Sequence, residues 1–191
     1  YIDDATLIKD TNVLPAASYM EKTDSLQLSL WVELLKHSGL YNSLNLAGSF
    51  TCFVPDNNAM NAYLATVGKQ KVSDLPVDAA KNLVKYHTIK GASYSAVSFD
   101  EGVIPDSTAS GDYLATTFNK NGGQIIVNLE ATVTKTVKTN NAYIHIINNV
   151  LTPVTQTLWE KLQETKFSIF RNAVDAVGFG DKLNTVTTVV N

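Results

Sequence analysis

The amino-acid sequence predicts an α+β fold, with helices first, antiparallel strands after them, and helices again at the end. Three observations carry this. Apolar residues recur at helical spacing up to about residue 91, and the character then changes to strands. Two turn signals, Asn121-Gly122-Gly123 and Thr139-Asn140-Asn141, divide the strand region into hairpin-like segments. Finally, the chain repeats its own beginning near its end. Helices followed by strands, rather than alternating with them, argue against βαβ winding.

Residues 1–18 hold Pro15, small residues and little periodicity, and read as a lead-in. Helices are expected at about 19–24 and 29–38. In the second, Leu30, Trp31, Leu34 and Leu35 form one apolar stripe, and Gly39 is its C-terminal stop. Phe50–Val54 is a compact apolar strand ended by Pro55, and Asp56 is placed to cap the next helix. That helix carries Ala59, Met60, Tyr63, Leu64 and Val67 inward and closes at Gly68. Leu75-Pro76 and Asp78 open another, with Ala79, Ala80, Leu83, Val84 and His87 inward and Gly91 as its end. Strands are expected at Leu114–Asn119, Gln124–Leu129, Ala131–Lys138 and Ala142–Val150. In the third of these Val133 and Val137 alternate with threonines.

A shift of 139 residues lays 19–45 over 158–184 without a gap. Ser29-Leu30-Trp31 meets Ser168-Ile169-Phe170, Leu34-Leu35 meets Ala173-Val174, and Gly39-Leu40 meets Gly178-Phe179. The period has the size of a domain. The expected organisation is therefore a lead-in at 1–18, a complete domain at 19–157, and the helical start of a second domain at 158–191.

Composition excludes several function classes. The net charge of −3 and the absence of any Lys/Arg run leave no footprint for nucleic acid. No stretch approaches the ~20 apolar residues of a membrane span. The single cysteine, Cys52, sits in an apolar run and reads as a small buried hydrophobe. Asn-x-Ser/Thr is absent, which leans toward a bacterial origin. The chain opens at Tyr1 without an initiator Met, so a processed chain whose targeting segment is not present is expected.

No catalytic constellation is visible. The three histidines are His37, His87 and His145, and His-Glu-x-x-His, Cys-x-x-Cys and Gly-x-Ser-x-Gly are absent. Asp3-Asp4 and Asp100-Glu101 are adjacent carboxylates that do not converge and read as solvated. His87, on the apolar face of its helix, and His145, between Ile144 and Ile146, read as core histidines with hydrogen-bond partners. Zinc at the pair would need further ligands that nothing nominates, so no cofactor or metal is expected. Trp31 is expected in the core, and Trp159 lies near a domain junction.

Three segments in order carry a family resemblance over residues 19–155. Phe50-Thr51-Cys52-Phe53-Val54-Pro55-Asp56-Asn57-Asn58-Ala59-Met60 resembles the first box of the fasciclin-like domain. Leu83-Val84-Lys85-Tyr86-His87 is similar to its Tyr-His segment, and the stretch from Asn140 through His145 to Pro153 to its second box. The motif positions are Phe53, Pro55, Tyr86, His87, Asn140, His145 and Pro153, all expected to be mainly structural. The resemblance implies a wedge of two β-sheets packed with several helices. It also implies a secreted or surface-anchored protein without catalytic residues, of a kind that in bacteria includes surface lipoproteins and tandem domains. The partner is then a surface or matrix protein or a glycan. The first reading is an adhesion or protein-interaction module; the alternative is a carbohydrate-binding accessory protein of a bacterial outer surface, which calls for coplanar exposed Tyr or Trp rings. The apolar stripe of 158–184 needs a partner, and packing between copies of the chain through these residues is one way to supply it.

Overall fold

Phe50–Pro55 is a nearly continuous apolar run, and both of its faces are covered: all six residues are buried. The structure, a computed structural model, describes residues 14–22, 24–119, 123–153, 158–163 and 165–184. They belong to two compact units, Tyr1–Leu151 and Thr152–Asn191.

In the first unit seven strands form one hydrogen-bonded order. They are β1 (Phe50–Pro55), β2 (Thr88–Lys90), β3 (Gly102–Val103), β4 (Ala115–Phe118), β5 (Ile125–Val127), β6 (Ala131–Lys138) and β7 (Ala142–Ile147). Across the sheet they run β2-β1-β7-β6-β5-β4-β3. The two expected sheets are the two halves of this order, and β6 belongs to both. Its first residues, Ala131 and Thr132, pair with β5, whereas Val133 onward pairs with β7. The register slips between Val133 and Lys135, and a bulge of this kind bends a strand and increases its twist, so the sheet curls there. One pairing departs from the antiparallel expectation. β7 lies parallel to β1, from Phe50 opposite Ala142 to Pro55 opposite Ile147.

Two cores follow from the alternation of β1. Phe50, Cys52 and Val54 face a helical core with Trp31, Leu34, Leu35, Met60, Leu83 and Ile144. Phe53 faces a second core with Phe99, Leu114, Val127 and Ile147. A strand buried on both faces is apolar almost throughout, and the one polar residue, Thr51, has its hydroxyl bonded to Ala92 O and Tyr94 N–H. The Cys52 thiol, 1% exposed, is pushed up to about 12 by burial.

The helices are α1 (Ala16–Lys22), α2 (Ser25–His37), α3 (Asn57–Thr66) and α4 (Val77–Tyr86). Leu28, Trp31, Val32, Leu34 and Leu35 form the buried stripe of α2. Each such side chain taken from water contributes roughly 1.5–3 kcal/mol. Asp56 caps α3 as expected, accepting from the Ala59 N–H at 2.8 Å. Three helices differ from expectation, α2 by starting at Ser25, four residues before 29. α1 begins three residues early, because Ala16 and Ala17 are buried and the Ala16 N–H has a side-chain acceptor. α4 stops at Tyr86 rather than near Gly91, and Ala79 is exposed. Side chains take over the last carbonyls: the His87 ring binds Leu83 O and the Thr88 hydroxyl donates to Val84 O. The chain is thereby released into β2, which pairs antiparallel with β1. The turn at Asn121-Gly122 lies outside the described residues, but β4 and β5 pair as a hairpin.

The β5–β6 turn places two non-glycine residues, Asn128 (φ 52°) and Leu129 (φ 58°), in the left-handed region. The Glu130 N–H closes it on Val127 O at 3.0 Å. This is the twist a tight hairpin needs, usually supplied by Asn-Gly.

The second unit holds α5 (Leu158–Lys161), α6 (Ser168–Ala176) and α7 (Gly180–Leu183). Its backbone hydrogen bonds match the first copy at the 139-residue spacing. Gly39→Lys36, Leu40→Leu35, Leu44→Leu40 and Asn45→Asn42 recur as Gly178→Asp175, Phe179→Val174, Leu183→Phe179 and Asn184→Asp181. Gly39 and Gly178 both have positive φ, 74° and 66°. The burial does not match: Trp31 is 1% exposed, and Phe170 is 59% exposed.

Candidate functional site

The histidines singled out in the sequence are both fully buried, and both use both ring nitrogens. His87 caps the end of α4. Its Nδ1 lies 2.8 Å from Leu83 O, and a carbonyl only accepts, so Nδ1 carries the proton. Its Nε2 then accepts the Leu151 N–H at 2.9 Å. The residue joins α4 to the segment after β7. His145, on β7, has the opposite tautomer. Its Nε2 donates to Tyr94 O at 2.9 Å, and its Nδ1 accepts from the Thr136 hydroxyl on β6 at 2.9 Å. In each ring the lone pair that would ligate a metal is already taken by a protein donor. Among the described residues no three His, Cys, Asp or Glu side chains converge. His37, partly exposed, contacts Leu75 O through Nε2 at 2.8 Å.

Burial holds both His87 and His145 down at about 4, against a smaller opposing effect of the carbonyl each one binds. Desolvation wins because the charged ring would sit among apolar and aromatic groups. Trp31 lies 5.1 Å from the His87 ring, and Phe53 and Phe99 lie 5.4 and 5.1 Å from the His145 ring.

Phe53 connects the two histidines. Its N–H donates to His87 O at 2.9 Å, and its ring stacks on His145. Pro55 ends β1 opposite Ile147, where a missing N–H leaves the ladder, and Asp56 N–H resumes the bonding to Ile147 O. Tyr86 is buried, and its hydroxyl accepts from Asn128 Nδ2 at 3.1 Å, tying α4 to the strained turn. Pro153 is exposed beyond Leu151. Asp100 and Glu101 are exposed, whereas Asp3 and Asp4 lie outside the described residues.

Asn140 does little: its side chain is exposed, and its backbone N–H donates to Leu14 O. Its neighbour Asn141, which the motif reading passed over, is a junction. The buried Asn141 amide accepts from Ala16 N–H at 2.9 Å and donates to Leu44 O at 2.9 Å and Leu46 O at 2.8 Å. One side chain thus satisfies the start of α1 and the loop before β1 from the first residue before β7. Its signal in the sequence was weak, being a polar residue at the mouth of an apolar strand.

These residues define a class: an α+β domain in which histidine, asparagine and tyrosine side chains lock helices onto a curled sheet. A family model for the fasciclin domain matches residues 26–153. The chain belongs to the fasciclin family, a non-enzymatic adhesion and protein-interaction domain typically found outside cells or on their surfaces. It is 27% identical over 125 residues to protein sll1483 of Synechocystis sp., covering 65% of this chain and 67% of that protein. Its fold is similar to a FAS1 domain pair from the insect cell adhesion molecule fasciclin I. There the TM-score is 0.54 and the identity 21%, over 83% of this chain and 56% of that structure. The chain therefore spans little more than half of that pair.

Two predictions follow from the buried polar groups. Asn141→Ala strands one N–H and two carbonyls and is expected to cost about 3–5 kcal/mol in urea unfolding, whereas Asn140→Ala should cost under about 0.5 kcal/mol. Equal effects at the two positions would contradict the assignment of Asn141 as the junction. The histidines set a pH dependence. An unfolded imidazole binds its proton near 6.5 and the folded ones only near 4, so between those values the unfolded state holds more protons and stability falls as pH falls. From pH 7 to pH 5 the loss is about 2 kcal/mol per histidine, and His145→Gln should keep only about half of the slope. Stability that stays flat across this range would show that the rings are not held neutral.

Proposed function

We propose that the chain is a non-catalytic adhesion module, displayed outside the cell, that engages a protein partner through one end of the β3–β4–β5 arm. The observation that carries this is a set of exposed apolar residues on the strands and turns of this arm. Val103 on β3 lies opposite Ala115 on β4, and Ala115 is in turn bonded to Asn128 by both its N–H and its C=O. Val103 is 66% exposed, Leu129 beside Asn128 is 80% exposed, and Tyr113 in the approach to β4 is also exposed. β3 ends the strand order, so its outer edge is open to an added strand. Leu129 is kept in a left-handed conformation that costs a leucine roughly 1–2 kcal/mol. Strain retained at an exposed apolar residue suits a contact residue.

The carbohydrate alternative calls for a platform of exposed rings. Among the described Tyr and Trp residues only Tyr113 is exposed, and Trp31 lies in the core, which favours a protein as the partner. No described helix is long and apolar enough to cross a membrane.

We also read residues 158–184 as the opening helices of a second fasciclin-like unit, supported by the four matching hydrogen bonds. In the full-length gene product, the 139-residue spacing places the counterpart of Phe50–Pro55 from Val189 onward; a continuation there without an apolar strand pattern would dispose of this reading. The adhesion reading is checked with beads coated with the chain and presented to immobilised extracellular proteins and to one another. Leu129→Gly is expected to raise stability by about 0.5–1 kcal/mol, since glycine relieves the turn at some entropic cost, and to lower adhesion. Val103→Asp should lower adhesion at least tenfold. Beads that adhere to nothing would overturn the function, and beads that adhere equally well with both variants would overturn the site.

A further inference from the structure

A cavity of about 290 Å³ opens in the first unit between the loop after α2, α4 and β2. Its apolar lining comes from Leu40, Leu44, Phe50 and Val84, and Lys85 and Lys90 stand among the lining residues. No carboxylate lines it. Among the described residues the ion pairs are Lys36–Glu21 and Lys135–Asp24, so neither cavity lysine is neutralised. The Thr88 hydroxyl beside them is already committed to Val84 O. The volume is at the lower end for small-molecule pockets, which begin near roughly 300 Å³. It holds one short apolar chain and excludes a two-chain lipid. An apolar floor with two unpaired cations and no acid is complementary to an apolar tail carrying a single negative head. Water is a poor occupant of the apolar part, because a bound water needs two to four polar partners.

We infer that this cavity binds a free medium-chain carboxylate, with the tail against Leu44, Phe50 and Val84 and the head between Lys85 and Lys90. It is separate from the β3–β4–β5 arm and does not depend on the adhesion reading. The test is an NMR titration of the chain with hexanoate, octanoate and decanoate below micelle formation. Saturable shifts are expected at Leu44, Phe50 and Val84, with affinity rising about fourfold per added methylene until the cavity is full. Octanol should bind about fivefold more weakly than octanoate, and octylammonium more weakly still. Lys85→Gln with Lys90→Gln should erase the difference between octanoate and octanol. Ala109→Trp, at an exposed lining position, should abolish binding at an unchanged unfolding midpoint. Absence of shifts at those residues, equal affinity for octanoate and octylammonium, or undiminished binding to the Ala109→Trp variant would each overturn the assignment. Co-sedimentation with anionic phospholipid vesicles without a response to octanoate would give the lysines to a membrane surface and overturn it equally.

Discussion

The parallel pairing of β1 with β7 is the constraint on which the first unit depends. It joins residues 92 positions apart, from Phe50 opposite Ala142 onward. Closing a loop of that length costs about 4 kcal/mol plus a constant. A parallel pair also lacks the tight hairpin that registers an antiparallel one. The register is set instead by side chains at its two ends. Asn141 precedes the first pair and binds backbone from α1 and the Leu44–Leu46 loop; Phe53 stacks on its own partner in the pairing, His145. A one-residue slip would carry every side chain of the strand to the opposite face. It would also separate Phe53 from His145 and turn Cys52 and Val54 out of the helical core.

The two buried histidines make physical sense within this constraint. A core apolar residue could fill their volume, but it could not bond backbone groups on both sides. His87 holds a helix-end carbonyl and the N–H of Leu151, so it fixes where the chain leaves the sheet. His145 holds Tyr94 O and the Thr136 hydroxyl, so it fixes the loop before β3 against β6. His87 is neutral because its two bonds need one donor and one acceptor, and His145 because burial disfavours its charged form. A protonated His87 ring would face the Leu151 N–H with a second donor and lose that bond. The same bonds leave no free lone pair, so the geometry argues a structural role from chemistry and not merely from position.

Much of this was legible in the sequence, and the parts that were not have a common cause. The α2 stripe, the Asp56 cap, the strand at Phe50–Pro55, β6 and the core placement of Trp31 and Cys52 rest on local patterns, and local patterns are what a sequence displays. β2 was hidden because Leu83, Val84 and His87 continue a helical period toward Gly91. The helix is broken by side-chain bonds from His87 and Thr88, which have no signature in hydropathy. β3 is two residues long and has no pattern to show. The parallel sense of β1 and β7 is a long-range property. Asn141 was overlooked for the same reason: its three partners lie near residues 16 and 45, so its neighbour Asn140, alike in the motif, received the attention.

The repeat shows how far a weak local resemblance can carry. Few residues are identical between 19–45 and 158–184, yet four backbone hydrogen bonds recur at the same spacing. Both glycines that end the longer helices stand at positive φ, which side chains disfavour. The same backbone is thus encoded twice. What differs is the surroundings. Trp31 is covered by α4 and the strands that follow it in the first unit, and its counterpart Phe170 stands 59% exposed, with Ile169 at 87%. In the first copy this stripe is part of the helical core, together with residues of α4, β1 and β7. Helical geometry without that cover is marginal in water, since most of a helix's stability in a protein comes from its packed face. An apolar stripe that repeats the core-forming one, on a backbone that repeats its caps, therefore differs from the first copy in its surroundings and not in its local geometry.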